Sequence, residues 1–121
     1  MSRFVTALKA KDLDGLLQLF PRRSTWKYVG TAMEPHQVSE FTYEQLAADL
    51  KSQTGLYESL IYAGGDDCFR DHFVDTEPEQ WVEVSPGRFA HPLAEERQYV
   101  WVEWKQEDGR WVVAALAEPA S

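Results

Sequence analysis

Apolar residues recur at two spacings along this chain, and the change from one to the other divides it. Phe4, Leu8, Leu13, Leu16, Leu17 and Phe20 keep helical spacing. The pattern predicts a helix capped by Ser2. A break near Lys11-Asp12 follows, where Asp12 or Asp14 restarts a second short helix. Gly15 weakens that helix and Pro21 stops it. Residues 24–31 alternate as a strand, with Trp26 and Tyr28 on one face and Thr25, Lys27 and Val29 on the other. Residues 32–40 contain Pro35 and mostly polar side chains, which predicts a loop. Thr42 with Gln45 three residues on is a capping box. It opens a helix with the apolar stripe Tyr43, Leu46, Ala47 and Leu50, and Gly55 is its expected stop. Residues 56–63 fit either a helical turn through Leu56, Leu60 and Ile61 or a short strand, broken by Gly64-Gly65. Asp66 or Asp67 is expected to cap a third short helix through Val74, with Phe69 and Phe73 inward. Pro78 closes that region.

Beyond Pro78 the period shortens to two. Residues 80–84 and 88–91 read as strands joined by the turn Ser85-Pro86-Gly87. Residues 99–105 and 111–116 are β-rich runs on either side of Glu107-Asp108-Gly109-Arg110. Asp-Gly supplies the two positive-φ positions of a type I′ turn. With that two-residue turn, Glu107 pairs with Arg110 and the rest of the register follows by counting. Trp104 then faces Val113, Val102 faces Ala115 and Val100 faces Ala117. On the opposite face Lys105 meets Val112, Glu103 meets Ala114 and Trp101 meets Leu116. A bulge would shift these pairs by one. The first face is wholly apolar and belongs in a core. The second mixes Tyr99, Trp101, Val112, Ala114 and Leu116 with Glu103 and Lys105, so the hairpin is expected to be central, with one face under helices and the other partly covered. The whole pattern predicts one α+β domain over residues 1–121: a curved antiparallel sheet packed against N-terminal and middle helices.

The opening FVTALKAKDLDGLLQLF, residues 4–20, resembles the first helices of the NTF2-like (SnoaL-like) α+β barrels. The ending YVWVEWKQEDGRWVVAALAEP, residues 99–119, resembles their final long hairpin. The resemblance covers the two ends, about a third of the chain. It implies a cystatin-like cone, with a strongly curved sheet around a pocket. The family hosts enzymes, ligand binders and noncatalytic accessory domains, and no catalytic motif of theirs is present to carry over.

Composition narrows the function classes. At 121 residues with 44% hydrophobic and 13% aromatic content, the chain can bury a core without metal or disulfides. It holds 20 acidic and 12 basic residues, a net charge of −8. Such a surface repels phosphate backbones, which argues against nucleic acid as a partner, and attracts basic ones. The single cysteine, Cys68, excludes an intrachain disulfide. No apolar run approaches the ~20 residues that span a bilayer, and residues 1–4 lack the apolar core of a signal peptide. The chain reads as a cytoplasmic protein, or as an exported one after removal of its signal.

Candidate chemistry is sparse. Cys68 and His72, one helical turn apart, could form half of a zinc site or a nucleophile pair. Zinc needs further ligands, and two neighbouring aspartates oppose a thiolate, so the plainer reading is a buried core cysteine. No metal site and no cofactor is expected. Glu103 beside Trp101 could act in acid/base chemistry with His91, Tyr28 or Tyr99, or could pair across the sheet. Five tryptophans, Trp26, Trp81, Trp101, Trp104 and Trp111, are many for one small core. Trp26, Tyr28, Trp81, Tyr99, Trp101, Glu103 and Trp111 are the candidate pocket or interface residues. The leading expectation is a noncatalytic module binding a small apolar ligand or a protein. The alternative is a cofactor-free acid/base enzyme, an isomerase or hydrolase with a small apolar substrate. A homodimer joined through an exposed sheet face is a third expectation.

Overall fold

In the computed structural model, residues 1–32, 34–62, 68–93 and 99–119 are described. The two N-terminal helices form as the apolar spacing predicts: α1, Ser2–Ala10, and α2, Leu13–Leu17. Met1, not Ser2, occupies the N-cap position of α1 and makes no side-chain cap. Lys11 closes α1 in the left-handed region (φ 54°), and the Asp12 carboxylate accepts the Gly15 N–H at 3.1 Å to start α2. A Cβ on Gly15 would lie 2.4 Å from Asp12 Oδ2, so a larger residue there would push the capping carboxylate aside.

A mixed sheet follows the helices. Strands β1 (Trp26–Gly30) and β2 (Gln37–Phe41) form a hairpin, so part of the expected 32–40 loop is strand. The polar sequence hides it because β2 is an edge strand: only Phe41 turns into the core, against Trp26.

Helix α3, Tyr43–Ser52, opens on the expected capping box: Gln45 N–H donates to Thr42 Oγ1 at 3.2 Å and Thr42 N–H to Gln45 Oε1 at 2.7 Å. Losing one such cap costs about 1 kcal/mol. Thr42→Ala is therefore expected to lower the unfolding free energy by about 1 kcal/mol in urea titrations, and Thr42→Ser by much less. The helix stops at Gln53 (φ 58°), two residues before the expected glycine. Gly55 instead opens α4, Leu56–Leu60, which settles the helix-or-strand ambiguity there.

The expected third helix is a single 3-10 turn, Phe69–His72, entered through extended Cys68. Its predicted caps, Asp66 and Asp67, lie outside the described residues. The turn is anchored rather than extended. Phe69 and Phe73 are fully buried, and Arg70 donates to the α1 carbonyls of Leu8 and Lys9 at 2.6 and 2.7 Å. Both carbonyls belong to the last turn, where Leu8 also accepts the Lys11 N–H, so Arg70 completes the end of α1 as it fixes the turn. A second 3-10 turn, Pro78–Gln80, leads into β3 (Val82–Ser85) and β4 (Arg88–Ala90).

The remaining strands are β5 (Trp101–Glu107) and β6 (Arg110–Glu118), and the six-stranded order is β2-β1-β6-β5-β4-β3. All pairings are antiparallel except β1 with β6, which is parallel. The sheet ends in two edges and does not close into a barrel. Asp108 (φ 53°) and Gly109 (φ 78°) form the predicted two-residue turn. Trp104 meets Val113 and Lys105 meets Val112 as counted. Beyond them Ala114 is an extra residue, a β-bulge, so Glu103 meets Ala115, Val102 meets Leu116 and Trp101 meets Ala117.

The bulge keeps Val113 and Leu116 on the helix-covered face together with Trp26, Val100 and Val102. A smaller cluster, Val29, Ala90, Trp101, Ala115 and Ala117, lies on the other face. There Val38, Val29, Ala117, Trp101, Ala90 and Val82 stand in register as an apolar row across all six strands.

Candidate functional site

The seven residues singled out from the sequence do not meet in one pocket. Trp26 is fully buried between Phe20 and Phe41, with ring centroids at 4.7 and 5.3 Å. Tyr28 packs beside it on β1. The Trp26 indole N–H and the Tyr28 hydroxyl are both buried with no hydrogen-bond partner among the described residues. Trp81 stacks on Phe73 at 4.5 Å and donates its N–H to Thr76 Oγ1. Tyr99 is half-buried against the same core, and its carbonyl accepts the Thr31 hydroxyl. Trp101 and Glu103 lie on the opposite face. The Arg88 guanidinium sits 3.9 Å above the Trp101 ring and donates to Glu103 Oε2 from Nη2 at 2.7 Å. Glu103 is thus a cross-strand ion-pair partner, with its side chain about one third exposed. Cys68 is buried and donates to the Ile61 carbonyl. Burial pushes its thiol pKa up, which suits a core residue and not a nucleophile.

Trp111 differs from the rest. Its side chain is 58% exposed. It borders an open groove of about 1320 Å³ between α1–α2 and the tip of the β5–β6 hairpin. The apolar wall of the groove is Phe4, Leu19, Phe89, Trp104 and Trp111. Its charged lining is balanced: Arg3, Arg22, Arg23 and Arg110 against Asp12, Glu83, Glu107 and Asp108.

Each of these carboxylates already has a task. Asp12 caps α2, and Glu83 accepts the Gly87 N–H at 3.2 Å. Glu107 accepts the Arg22 N–H at 2.8 Å, the Arg23 N–H and the Ser24 hydroxyl. Desolvation pushes the Glu107 pKa up, but the Ser24 and backbone hydrogen bonds outweigh it and the net direction is down. Asp108 pairs with Arg23 at 3.3 Å. Arg110 donates to the Gln18 and Phe20 carbonyls, tying the hairpin tip to the end of α2. The arginines were missed in the sequence because they come from three distant stretches. The only local signal was the doublet Arg22-Arg23 after Pro21.

A second constellation sits at the other end of the helix-covered face. Glu118, the last residue of β6, is only 7% exposed and stands opposite Gly30 of β1. His72 of the 3-10 turn places Nε2 at 3.7 Å from its Oε2. His91, just past β4, lies edge-on to His72 with ring centroids 6.2 Å apart, and is walled by Trp81 at 5.3 Å. His91 Nδ1 accepts the Leu93 N–H, so the proton of the neutral ring belongs on Nε2. Burial pushes the Glu118 carboxyl up to about 7. Among the described residues no three His, Cys, Asp or Glu side chains converge to hold a metal ion. The cluster can hold or pass a proton near neutrality. Glu118 escaped sequence reasoning because it simply extends an apolar strand run.

Compared with protein-family models, with curated proteins and with solved structures, the chain matches none of them.

Proposed function

We propose that this chain is a noncatalytic binding module whose ligand lies in the groove between α1–α2 and the β5–β6 hairpin. The observation that carries the reading is Trp111. A tryptophan 58% exposed on an acidic chain, in one groove with Phe89, Trp104 and Leu19, is the kind of apolar surface that binding covers. The volume of about 1320 Å³ accommodates the apolar body of a small organic ligand. The groove also lies between the two segments that resemble NTF2-like proteins, a family that includes ligand binders. The test is titration of the intrinsic tryptophan emission with 1-octanol, a neutral amphiphile transparent at the excitation wavelength. A saturable blue shift is expected, and Trp111→Ala should weaken it about tenfold, as for a residue that anchors binding. An unchanged wild-type spectrum at the solubility limit of the alcohol would overturn the reading.

A second reading is favoured by one observation: a buried carboxylate, Glu118, beside His72 and His91. A carboxyl held near neutrality next to imidazole suits the general acid/base step of a cofactor-free isomerase or hydrolase. Carbon-13 NMR of the labelled Glu118 carboxyl tests it. Titration in the ordinary carboxylate range would remove the group from such a role.

A further inference from the structure

The groove distinguishes itself from the rest of the chain by its charge. The chain carries 20 acidic residues against 12 basic ones, yet the groove is lined by four of each. Its four cations are all arginines, from a chain that has seven, and no lysine lines it. Arginine presents a planar fork of N–H donors matched to a carboxylate, whereas lysine offers a point charge.

The state of these charges matters more than their number. Glu107, Asp12 and Glu83 are each occupied by backbone N–H groups, so their lone pairs face the fold. Two of the guanidinium groups, by contrast, rest on neutral partners. Arg22 lies over the Tyr43 ring, 5.2 Å from its centroid, and Arg110 donates to the carbonyls of Gln18 and Phe20. Arg110 stands opposite Glu107 in the hairpin register, but the Glu107 oxygens are taken by Arg22 N–H, Arg23 N–H and Ser24. Among the described residues, neither Arg22 nor Arg110 is in an ion pair. The groove therefore combines an aromatic wall with two guanidinium charges that, among the described residues, are in no ion pair.

We infer that the groove selects small amphipathic carboxylates, with the apolar body on Trp111, Phe89 and Trp104 and the carboxylate beside Arg110 and Arg22. The inference rests on the binding reading above and adds the chemical class of the ligand. A small anion also fits the rest of the surface. A net charge of −8 repels an acidic protein over its whole face, but a single carboxylate inside the groove feels chiefly the local arginines, because salt screens charges beyond ~8 Å.

The experiment compares octanoate with 1-octanol on the full chain, read by tryptophan emission at pH 8 and about 0.15 M salt. Octanoate is expected to bind at least tenfold more tightly than the alcohol. Its advantage should shrink on adding salt. Arg110→Gln and Arg22→Gln should each reduce the preference for octanoate over octanol severalfold, the affinity for octanoate falling more than that for octanol. Arg110→Gln also removes a tie to the end of α2, so Arg22→Gln keeps the test open if that variant folds poorly. Equal binding of acid and alcohol would overturn the carboxylate class and leave the groove as a binding site. Binding of neither would overturn both. A preference for octanoate that survives both substitutions would overturn the assignment to these arginines.

Discussion

Replacing Glu118 with glutamine is expected to raise the thermal midpoint of the protein at pH 8 and to change it little at pH 5. The direction follows from where the carboxyl sits. Burial raises its pKa to about 7 in the folded chain, against an ordinary value of 4.5. Below the ordinary value both folded and unfolded states hold the proton, and the neutral acid costs nothing special. Between the two values the folded state keeps its proton and the unfolded state loses it, so stability falls as pH rises. Above about 7 the folded state carries a buried carboxylate, and the whole stabilisation is lost. His72, with Nε2 3.7 Å from Oε2, moderates the cost of that buried charge. Among the described residues His91 stands in edge contact with His72, and Gly30, opposite Glu118 on β1, brings no charge.

Discounted for that pairing and for local relaxation, the effect is on the order of 2 kcal/mol at pH 8. For a chain of this length that is a midpoint shift of about 8 °C. Glutamine keeps the shape and cannot ionise. Melts of both proteins at pH 5, 6.5 and 8 should therefore diverge steadily with pH. Parallel curves for wild type and E118Q would mean that the carboxyl ionises at no cost in the fold.

Why Glu118 was invisible in the sequence, while the turn at Asp108-Gly109 was plain, is a matter of range. The turn, the Thr42–Gln45 capping box and the break at Lys11–Asp12 each depend on residues within a few positions of one another. Their chemistry is complete in a short window, and all three stand where the sequence places them. The bulge at Ala114 left no mark because β6 is apolar on both sides of it, so a one-residue slip exchanges one apolar residue for another. The strand β2 was lost for the opposite reason: an edge strand with one inward residue has no apolar alternation to read. The parallel pairing of Lys27 with Ala115 joins segments from opposite ends of the chain, and nothing local encodes it. Glu118 with His72 and His91, and the arginines of the groove, are constellations of that same long-range kind. Their residue types were visible, but their proximity comes only from the sheet order.

Phe4→Ala is expected to be among the most damaging single changes, because Phe4 is where three of those distant segments meet. Its ring is fully buried and makes edge contacts to Phe69 at 6.1 Å, Phe73 at 5.5 Å and Trp104 at 5.6 Å. It thus ties α1 to the 3-10 turn and to β5 at one point. Truncation removes the transfer free energy of the ring and leaves a void that three rigid aromatic neighbours cannot easily fill. The cost is expected to be about 3–5 kcal/mol, a large share of the ~5–15 kcal/mol that holds a domain together. Phe4→Leu should cost appreciably less, since it keeps most of the volume. Urea titrations of the two variants check the difference. The emission of Trp104 offers a separate readout. It packs on the lost ring and donates its indole N–H to the Met1 sulfur at 3.3 Å, and it lines the groove. A red shift in Phe4→Ala under native conditions would place the loosened packing at the groove wall, so octanoate affinity should fall in the same variant. A stability loss below about 1.5 kcal/mol would mean that α1 and the 3-10 turn collapse into the void, and that Phe4 is not the joint between these elements.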